Sequence, residues 1–264
     1  MEIIDTHNHL DTHHFQDDYS EVLTRARKAG VVAQVLPGVC RDWWPNLLRL
    51  CRREKDLFAA PGLHPLYLDH HFPDHIKELQ KHVESGDLVA LGEIGLDYYH
   101  KNADRKAQQH LFEAQLDLAD ECSLPVLLHV RKAHDQVQAT IRRKNFRHGG
   151  IVHAFSGSRQ QAESYLKLGF NIAFGGTITY DRARKIRAVA RCLPLETIVL
   201  ETDAPDIPPA RHRNERNSPE YLPLVLDALS EIRSEPKSRV AGITTENARR
   251  ILRLENFGHS PASS

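Results

Sequence analysis

The sequence predicts an α/β protein, specifically a (β/α)8 barrel, on three observations. Apolar runs of strand length alternate with segments of helical periodicity about eight times along the 264 residues. The runs are continuously apolar rather than alternating, the pattern of parallel strands covered on both faces. Several of them end in histidine, glutamate or aspartate, and the C-terminal ends of barrel strands all meet at one mouth. An open doubly wound sheet is the competing architecture, and it would spread those ends along an edge.

The elements follow in order. Residues 2–10 read as the first strand, where alternate residues share a face and Asp5, His7 and His9 point the same way. Residues 18–30 read as a helix, with Val22, Leu23, Ala26 and Ala29 on one side and Gly30 as the stop. A strand at 31–37, a helix at 44–54 carrying Leu47, Leu48, Leu50 and Cys51, and a strand at 57–63 come next, the last followed by His64-Pro65. After a helix at 73–85, the fourth strand spans 88–96. Its apolar run breaks off at Glu93, between Gly92 and Gly95, glycines small enough to let something approach the carboxylate. Asp104 opens the clearest helix, with Leu111, Ala114, Leu118 and Cys122 down one side.

The fifth strand, 125–131, places His129 and Arg131 on one face, and a helix follows at 133–143. The sixth, 150–155, carries His153, and Ser156-Gly-Ser158 starts the next helix. A strand at 170–176 and a helix at 182–192 lead to the eighth strand, 198–203. There Glu201 and Asp203 share a face before Ala204-Pro205 stops it. Ser218-Pro219-Glu220 has the cap, first-turn proline and acid of a helix start. The last helix is expected at 245–254. One domain is expected over 1–256, with a polar tail at 257–264.

Composition narrows the function. Thirty-five Lys and Arg balance 35 Asp and Glu, which argues against a surface that coats nucleic acid and against a polybasic membrane anchor. No apolar run approaches a membrane span, and the amino terminus has no signal-peptide pattern. The four cysteines form no CxxC pair and read as reduced thiols of a cytoplasmic protein. The 17 histidines are an enrichment; His13, His14, His70, His71, His75 and His82 sit in polar segments and read as surface.

The remaining histidines carry the chemistry. Burying a carboxylate such as Glu93 is costly unless a cation or donors compensate it. His7, His9, Glu93, His129, His153 and Asp203, one or two per strand end, form a nitrogen- and carboxylate-rich set suited to Mg, Mn or Zn. The set is large enough for two divalent metal ions sharing Glu93 as a bridge, an arrangement that activates water and clamps the reacting oxygens. The competing view is a group of buried polar residues that satisfy one another; five such strand ends in one barrel favour the metal site.

In these residues and the motifs around them the chain resembles the TatD family of metal-dependent hydrolases, within the amidohydrolase-type barrels. The motifs that carry the likeness are Asp5-Thr-His-Asn-His-Leu10, Gly62-Leu-His-Pro65, Gly92-Glu-Ile-Gly-Leu-Asp97, Leu128-His-Val-Arg131, Val152-His-Ala-Phe-Ser-Gly157 and Glu201-Thr-Asp-Ala-Pro205. The resemblance implies that His7, His9 and Asp203 hold one metal, that His129 and His153 hold the other, and that Glu93 bridges them. It implies that His64 binds a substrate phosphate or oxyanion and that Asp203 takes a proton from the attacking water. The family often has serine after the fifth-strand histidine; here Val130 stands there, so that hydroxyl is absent.

Family members act as DNases, often trimming single strands from the 3′ end, and some relatives cleave aminoacyl esters from tRNA. The expectation is therefore a monomeric hydrolase of ester bonds, a deoxyribonuclease acting on single-stranded nucleic acid, with Asp203, Glu93 and His64 as catalytic groups. Arg131 neutralises a substrate oxygen in that reading and is a rim salt bridge in the duller one. Tyr67, Tyr98, Tyr99 and Tyr180 are either stacking platforms for bases or rim packing. Arg211, Arg213 and Arg216 either track a phosphate backbone or belong to a solvated loop. Glu201 reads as a residue that orients a ligand, and Asp97 and Asp206 as structural caps. An amide, ester or lactone hydrolase on the same metals is the alternative, and a non-catalytic binding protein a third reading.

Overall fold

The computed structural model describes residues 1–254; the expected tail at 257–264 lies outside the described residues. Among the described residues the eight strands are β1 Ile3–Asp5, β2 Val31–Pro37, β3 Leu57–Ala60, β4 Leu91–Asp97, β5 Val126–Arg131, β6 Gly150–Val152, β7 Phe170–Phe174 and β8 Ile198–Leu200. All paired neighbours are parallel, β1 to β3 in one ladder and β4 to β8 in another. Two seams close the ladders into a (β/α)8 barrel. At one, Ala59 bridges Leu88, Gly38 N donates to Gly92 O at 2.8 Å and Glu93 N donates to Gly38 O at 2.9 Å. At the other, Thr6 N and Oγ1 both donate to Leu200 O at 3.0 Å, and Asp203 N donates to His7 O at 2.9 Å.

Nine α-helices surround the barrel among the described residues: α1 Tyr19–Lys28, α2 Trp44–Arg53, α3 Pro73–Glu84, α4 Arg105–Glu121, α5 His134–Lys144, α6 Arg159–Lys167, α7 Arg184–Cys192, α8 Leu222–Arg233 and α9 Lys237–Leu252. Their ends have local causes. Asp104 accepts from Ala107 N at the start of α4, and Ser158 and Gln161 form a reciprocal capping box on α6. Helix α9 begins at Lys237, earlier than the 245 expected, because its buried face of Val240, Ala241 and Thr244 mixes polar with apolar residues. The Ser218 hydroxyl bonds Glu220 Oε1 rather than capping backbone, and a 3-10 turn, Pro219–Tyr221, precedes α8.

Side chains divide into two apolar layers. Ile4, Val35, Leu127, Ile151 and Val199 fill the barrel interior, and Ala248 and Leu252 of α9 close its floor. A larger layer packs the outer strand faces against the helices. Each buried Val, Leu or Ile contributes about 1.5–3 kcal/mol, so the interior is a packed plug and ligands enter from the mouth. No helix of the described residues is long and apolar enough to cross a membrane.

Three expectations need correction. The ladders are shorter than the apolar runs at β1, β3, β6 and β8, because the chain leaves the sheet before its polar residues: His7, His9, His153 and Asp203 all lie just past a strand. Glu93 does not end its strand; β4 continues to Asp97, with an irregularity in its pairing to β5 between Gly92 and Ile94. The buried face of α4 is Gln108, Phe112, Gln115, Leu116 and Ala119 together with Leu118, while Leu111, Ala114 and Cys122 are only half-buried. The two glutamines are the reason: Gln115 clamps both the N–H and C=O of Leu63, and Gln108 accepts from Asp97 N.

Candidate metal centre

Glu93 is the hub. Its Oε2 lies 3.3 Å from His7 Nε2 and 3.8 Å from His9 Nε2, while its Oε1 lies 2.7 Å from His129 Nδ1, 3.3 Å from His64 Nε2 and 4.0 Å from His153 Nε2. One carboxylate thus faces two separate groups of imidazoles, one with each oxygen. Asp203 completes the ring: its Oδ1 is 3.5 Å from His153 Nε2 and 3.9 Å from both His7 and His9 Nε2. All six sequence-predicted ligands therefore meet at the mouth, and all but the half-buried His129 are buried.

The ligand-type atoms form three close groups: His7, His9 and Glu93; His7, His153 and Asp203; and His64, Glu93 and His129. The grouping differs in detail from the division implied by the resemblance. His153 sits with His7, their rings stacked at 3.5 Å, rather than with His129, and His64 takes the place beside His129. Both ring nitrogens of His7 and Nδ1 of His9 are buried with no hydrogen-bond partner among the described residues. Buried polar atoms are ordinarily satisfied, so these orphans fit a donor set built for cations.

The backbone aims these side chains. Thr202 N and Oγ1 donate to the two Asp5 carboxylate oxygens at 2.9 and 2.6 Å, and Asn8 Nδ2 and His7 N bond the same carboxylate. Asp5 is therefore not a member of the cage, as the alternation of a longer first strand implied, but a clasp beneath it that joins both ends of the barrel. Asp203 adopts φ +61, so it does not continue the extended alternation with Glu201; its carboxylate swings over His7 and His9 while Glu201 stays buried. Gly95, at φ +143, has room for no side chain, because a Cβ would stand 2.0 Å from His129 O. The glycines of this strand serve close strand-to-strand approach, not access for a ligand.

Supporting carboxylates fix the outer nitrogens. Glu201 accepts from His153 Nδ1 at 2.9 Å and from Ala154 N at 2.7 Å, the orienting role the sequence suggested. Asp97, expected to be a cap, accepts from Tyr99 N and also lies 3.0 Å from His129 Nε2. His64 Nδ1 accepts from Leu66 N at 3.1 Å, which leaves the proton of the neutral ring on Nε2, facing Glu93. Arg131 is exposed, lies over the Tyr99 ring at 3.6 Å and reaches 3.9 Å from Asp97.

Burial and charge set the protonation. Burial drives His9 down to about 4 and also lowers His7 and His64. Burial opposes the charge on His129 and His153 too, but carboxylates outweigh it: Asp97 and Glu93 hold His129 up to about 9, and Glu201 with Asp203 holds His153 up to about 10. Burial pushes Asp203 up to about 8. Burial also disfavours charge on Glu93, but the surrounding imidazoles hold it well below the usual carboxylate range.

Away from the cage, Tyr180 Oη donates to Pro208 O and Arg216 pairs with Asp18, so both are tied into the rim. Composition gave no signal for the Asp97–His129 pair; only closure of β4 against β5 brings it together.

Comparison with known proteins identifies the family. The chain matches the family described as TatD related DNase over residues 4–253. It is 41% identical over 246 residues to the Escherichia coli protein named uncharacterized metal-dependent hydrolase YjjV, covering 92% of this chain and 95% of that one. The crystal structure of this TatD homologue superimposes with a TM-score of 0.92 at 40% identity, covering 94% of this chain and 97% of the other. The chain is also 32% identical over 247 residues to the 3′-5′ ssDNA/RNA exonuclease TatD of Erwinia tasmaniensis, covering 91% and 95% of the two.

Proposed function

The chain belongs to the TatD-related DNase family and is a metal-dependent hydrolase, and from that premise we propose that it hydrolyses phosphodiester bonds of single-stranded nucleic acid with two divalent cations. The observation that carries the reading is the division of Glu93, one oxygen toward His7 and His9, the other toward His129, His64 and His153. His7, His9 and Asp203 would hold one cation and His129 the other, with His153, stacked on His7 and 4.0 Å from Glu93 Oε1, placed between them and Glu93 shared. Such a pair supplies charge neutralisation at the phosphoryl oxygens and lowers the pKa of water toward neutrality.

The chain's own groups supply the rest. Asp203, whose Oδ1 lies 3.5 Å from His153 Nε2, would be ionised once the cations neutralise the cage and would then take a proton from the attacking water. His64 carries an Nε2–H, its tautomer fixed by Leu66 N, and would offer it to a phosphoryl oxygen that displaces its contacts with Glu93 and His129. Arg131, exposed at the rim beside Tyr99, neutralises a non-bridging oxygen. The exonuclease name of the Erwinia relative supports the substrate class.

The test is purified protein with Mg or Mn and end-labelled single-stranded DNA, beside a panel of esters and lactones. Shortening from the 3′ end is expected, with a loss of about 10²–10⁴-fold in Glu93→Gln and Asp203→Asn. Turnover of the ester or lactone panel without any shortening would transfer the assignment to a small-molecule hydrolase.

A further inference from the structure

Beside the cage, between the segment after β1 and helix α2, lies a cleft of about 550 Å³ lined by Asp11, Tyr19, Trp43, Asn46 and Arg49 among others. Asp11 is 6% exposed, and its Oδ1 has no hydrogen-bond partner among the described residues. The neighbouring cations do not answer it. Arg49 Nη2 donates to Asn46 Oδ1 at 2.6 Å, and Arg53 lies over the Tyr19 ring at 5.0 Å and donates to Glu54. Asn46 itself bonds the Asp11 carbonyl, not its carboxylate. A buried carboxylate oxygen without a donor is costly; Oδ1 is closed off from solvent, so a donor that enters the cleft reaches it once the side chain turns outward.

The cleft connects to the cage in two ways. Asp11 is two residues beyond His9, so their Cα atoms are at most about 7 Å apart. An aromatic file also runs between them: His64 meets the Tyr67 ring edge-on at 5.8 Å, and Tyr67 meets Trp43 edge-on at 5.6 Å. Trp43 is half-buried and shares the cleft wall with Tyr19.

We propose that this cleft is a nucleobase subsite, which takes the base of a nucleotide next to the scissile bond and selects bases that carry an exocyclic amine. The occupant rests on the nuclease reading above. Trp43 supplies a stacking surface, which any base accepts, and Asp11 supplies the discrimination. A carboxylate accepts from the amino groups of cytosine, adenine and guanine. Guanine suits it best, because its N1–H and amino group lie side by side and reach both oxygens. Thymine offers one N–H between two carbonyl oxygens, and those oxygens are repelled by the carboxylate.

The experiment follows tryptophan fluorescence of the full chain in magnesium buffer during titration with dGMP, dCMP or dTMP. Expected are quenching by dGMP and dCMP, roughly tenfold weaker binding of dTMP, and loss of the response in Trp43→Phe, which leaves the buried Trp44 as background. Asp11→Asn should bring dGMP down to the dTMP level, and the comparison of bases on the unaltered chain stands whether or not that variant folds. Equal binding of all three nucleotides, no quenching by any, or quenching that survives in Trp43→Phe would overturn the subsite. Cleavage of end-labelled single-stranded DNA is scored separately. Selective quenching without cleavage keeps the base site and removes the nuclease reading; cleavage with unselective quenching removes the subsite alone.

Discussion

Glu201 Oε2 holds His153 Nδ1 at 2.9 Å, and this bond turns the opposite nitrogen of the ring to within 3.5 Å of Asp203 Oδ1. The ring is aimed from behind by a buried carboxylate that also accepts from Ala154 N. Glu201→Gln keeps the shape but weakens the acceptor. The expected outcome is a 10–100-fold loss of metal affinity, read by titration calorimetry with Mn, at little cost in melting temperature. Unchanged affinity would show that Glu201 only anchors backbone.

His64 is placed as a hydrogen-bond donor, not as a ligand, because Leu66 N occupies its Nδ1. His64→Leu should lower kcat on single-stranded DNA by about 10²-fold and leave metal affinity within a factor of two or so of the parent. His64→Gln, which keeps an N–H, should recover part of the rate. A parallel loss of metal affinity and rate in His64→Leu would make it a ligand instead.

The metal-free protein should lose stability on the alkaline side. His129 and His153, raised from 6.5 to about 9 and about 10, hold protons that the unfolded chain releases. Their contribution is complete below pH 6.5 and is lost as the pH rises through 9 to 10. Asp203, raised from 3.8 to about 8, acts in the same direction, since its ionisation in the folded cage is unfavourable. The melting temperature of chelator-treated protein should therefore fall by about 5 °C or more between pH 7 and pH 10. Saturating Mn should flatten the slope, and a metal-free melting curve that rises over this window would contradict the assigned protonation.

Gly95→Ala tests the seating of His129. The φ of +143 and the 2.0 Å approach of a Cβ to His129 O leave no relaxed position for the methyl group. A loss of about 3 kcal/mol in urea unfolding is expected, with weakened metal binding in whatever protein still folds. Parent-like stability would mean that β4 and β5 can separate at no cost.

The sequence carried the eightfold alternation because each strand is buried on both faces and each helix has an apolar stripe; β2 appears with the bounds its apolar run suggests. It also carried the six side chains that meet at the mouth, since an imidazole or carboxylate at the end of an apolar run needs a partner where the run emerges. It did not show where strands end. His7, His9 and Asp203 lie outside ladders, and the left-handed φ of Asp203 has no glycine to advertise it. Nor did it show the long-range partners of Asp5, Asp97, Gln108 and Gln115, which are fixed by register and by closure. Nothing in the sequence marks Asp11; its unpartnered oxygen in the fold sets it apart.

The clasp of Asp5 by Thr202 ties the first residues of the chain to the segment that leaves the last strand. During synthesis His7 and His9 leave the ribosome well before Asp203, which lies 194 residues beyond His9. Until then the early histidines lack the carboxylate that lies over them, and the cage is incomplete. A nascent or truncated chain that ends before residue 202 therefore lacks both the clasp on Asp5 and the carboxylate of Asp203.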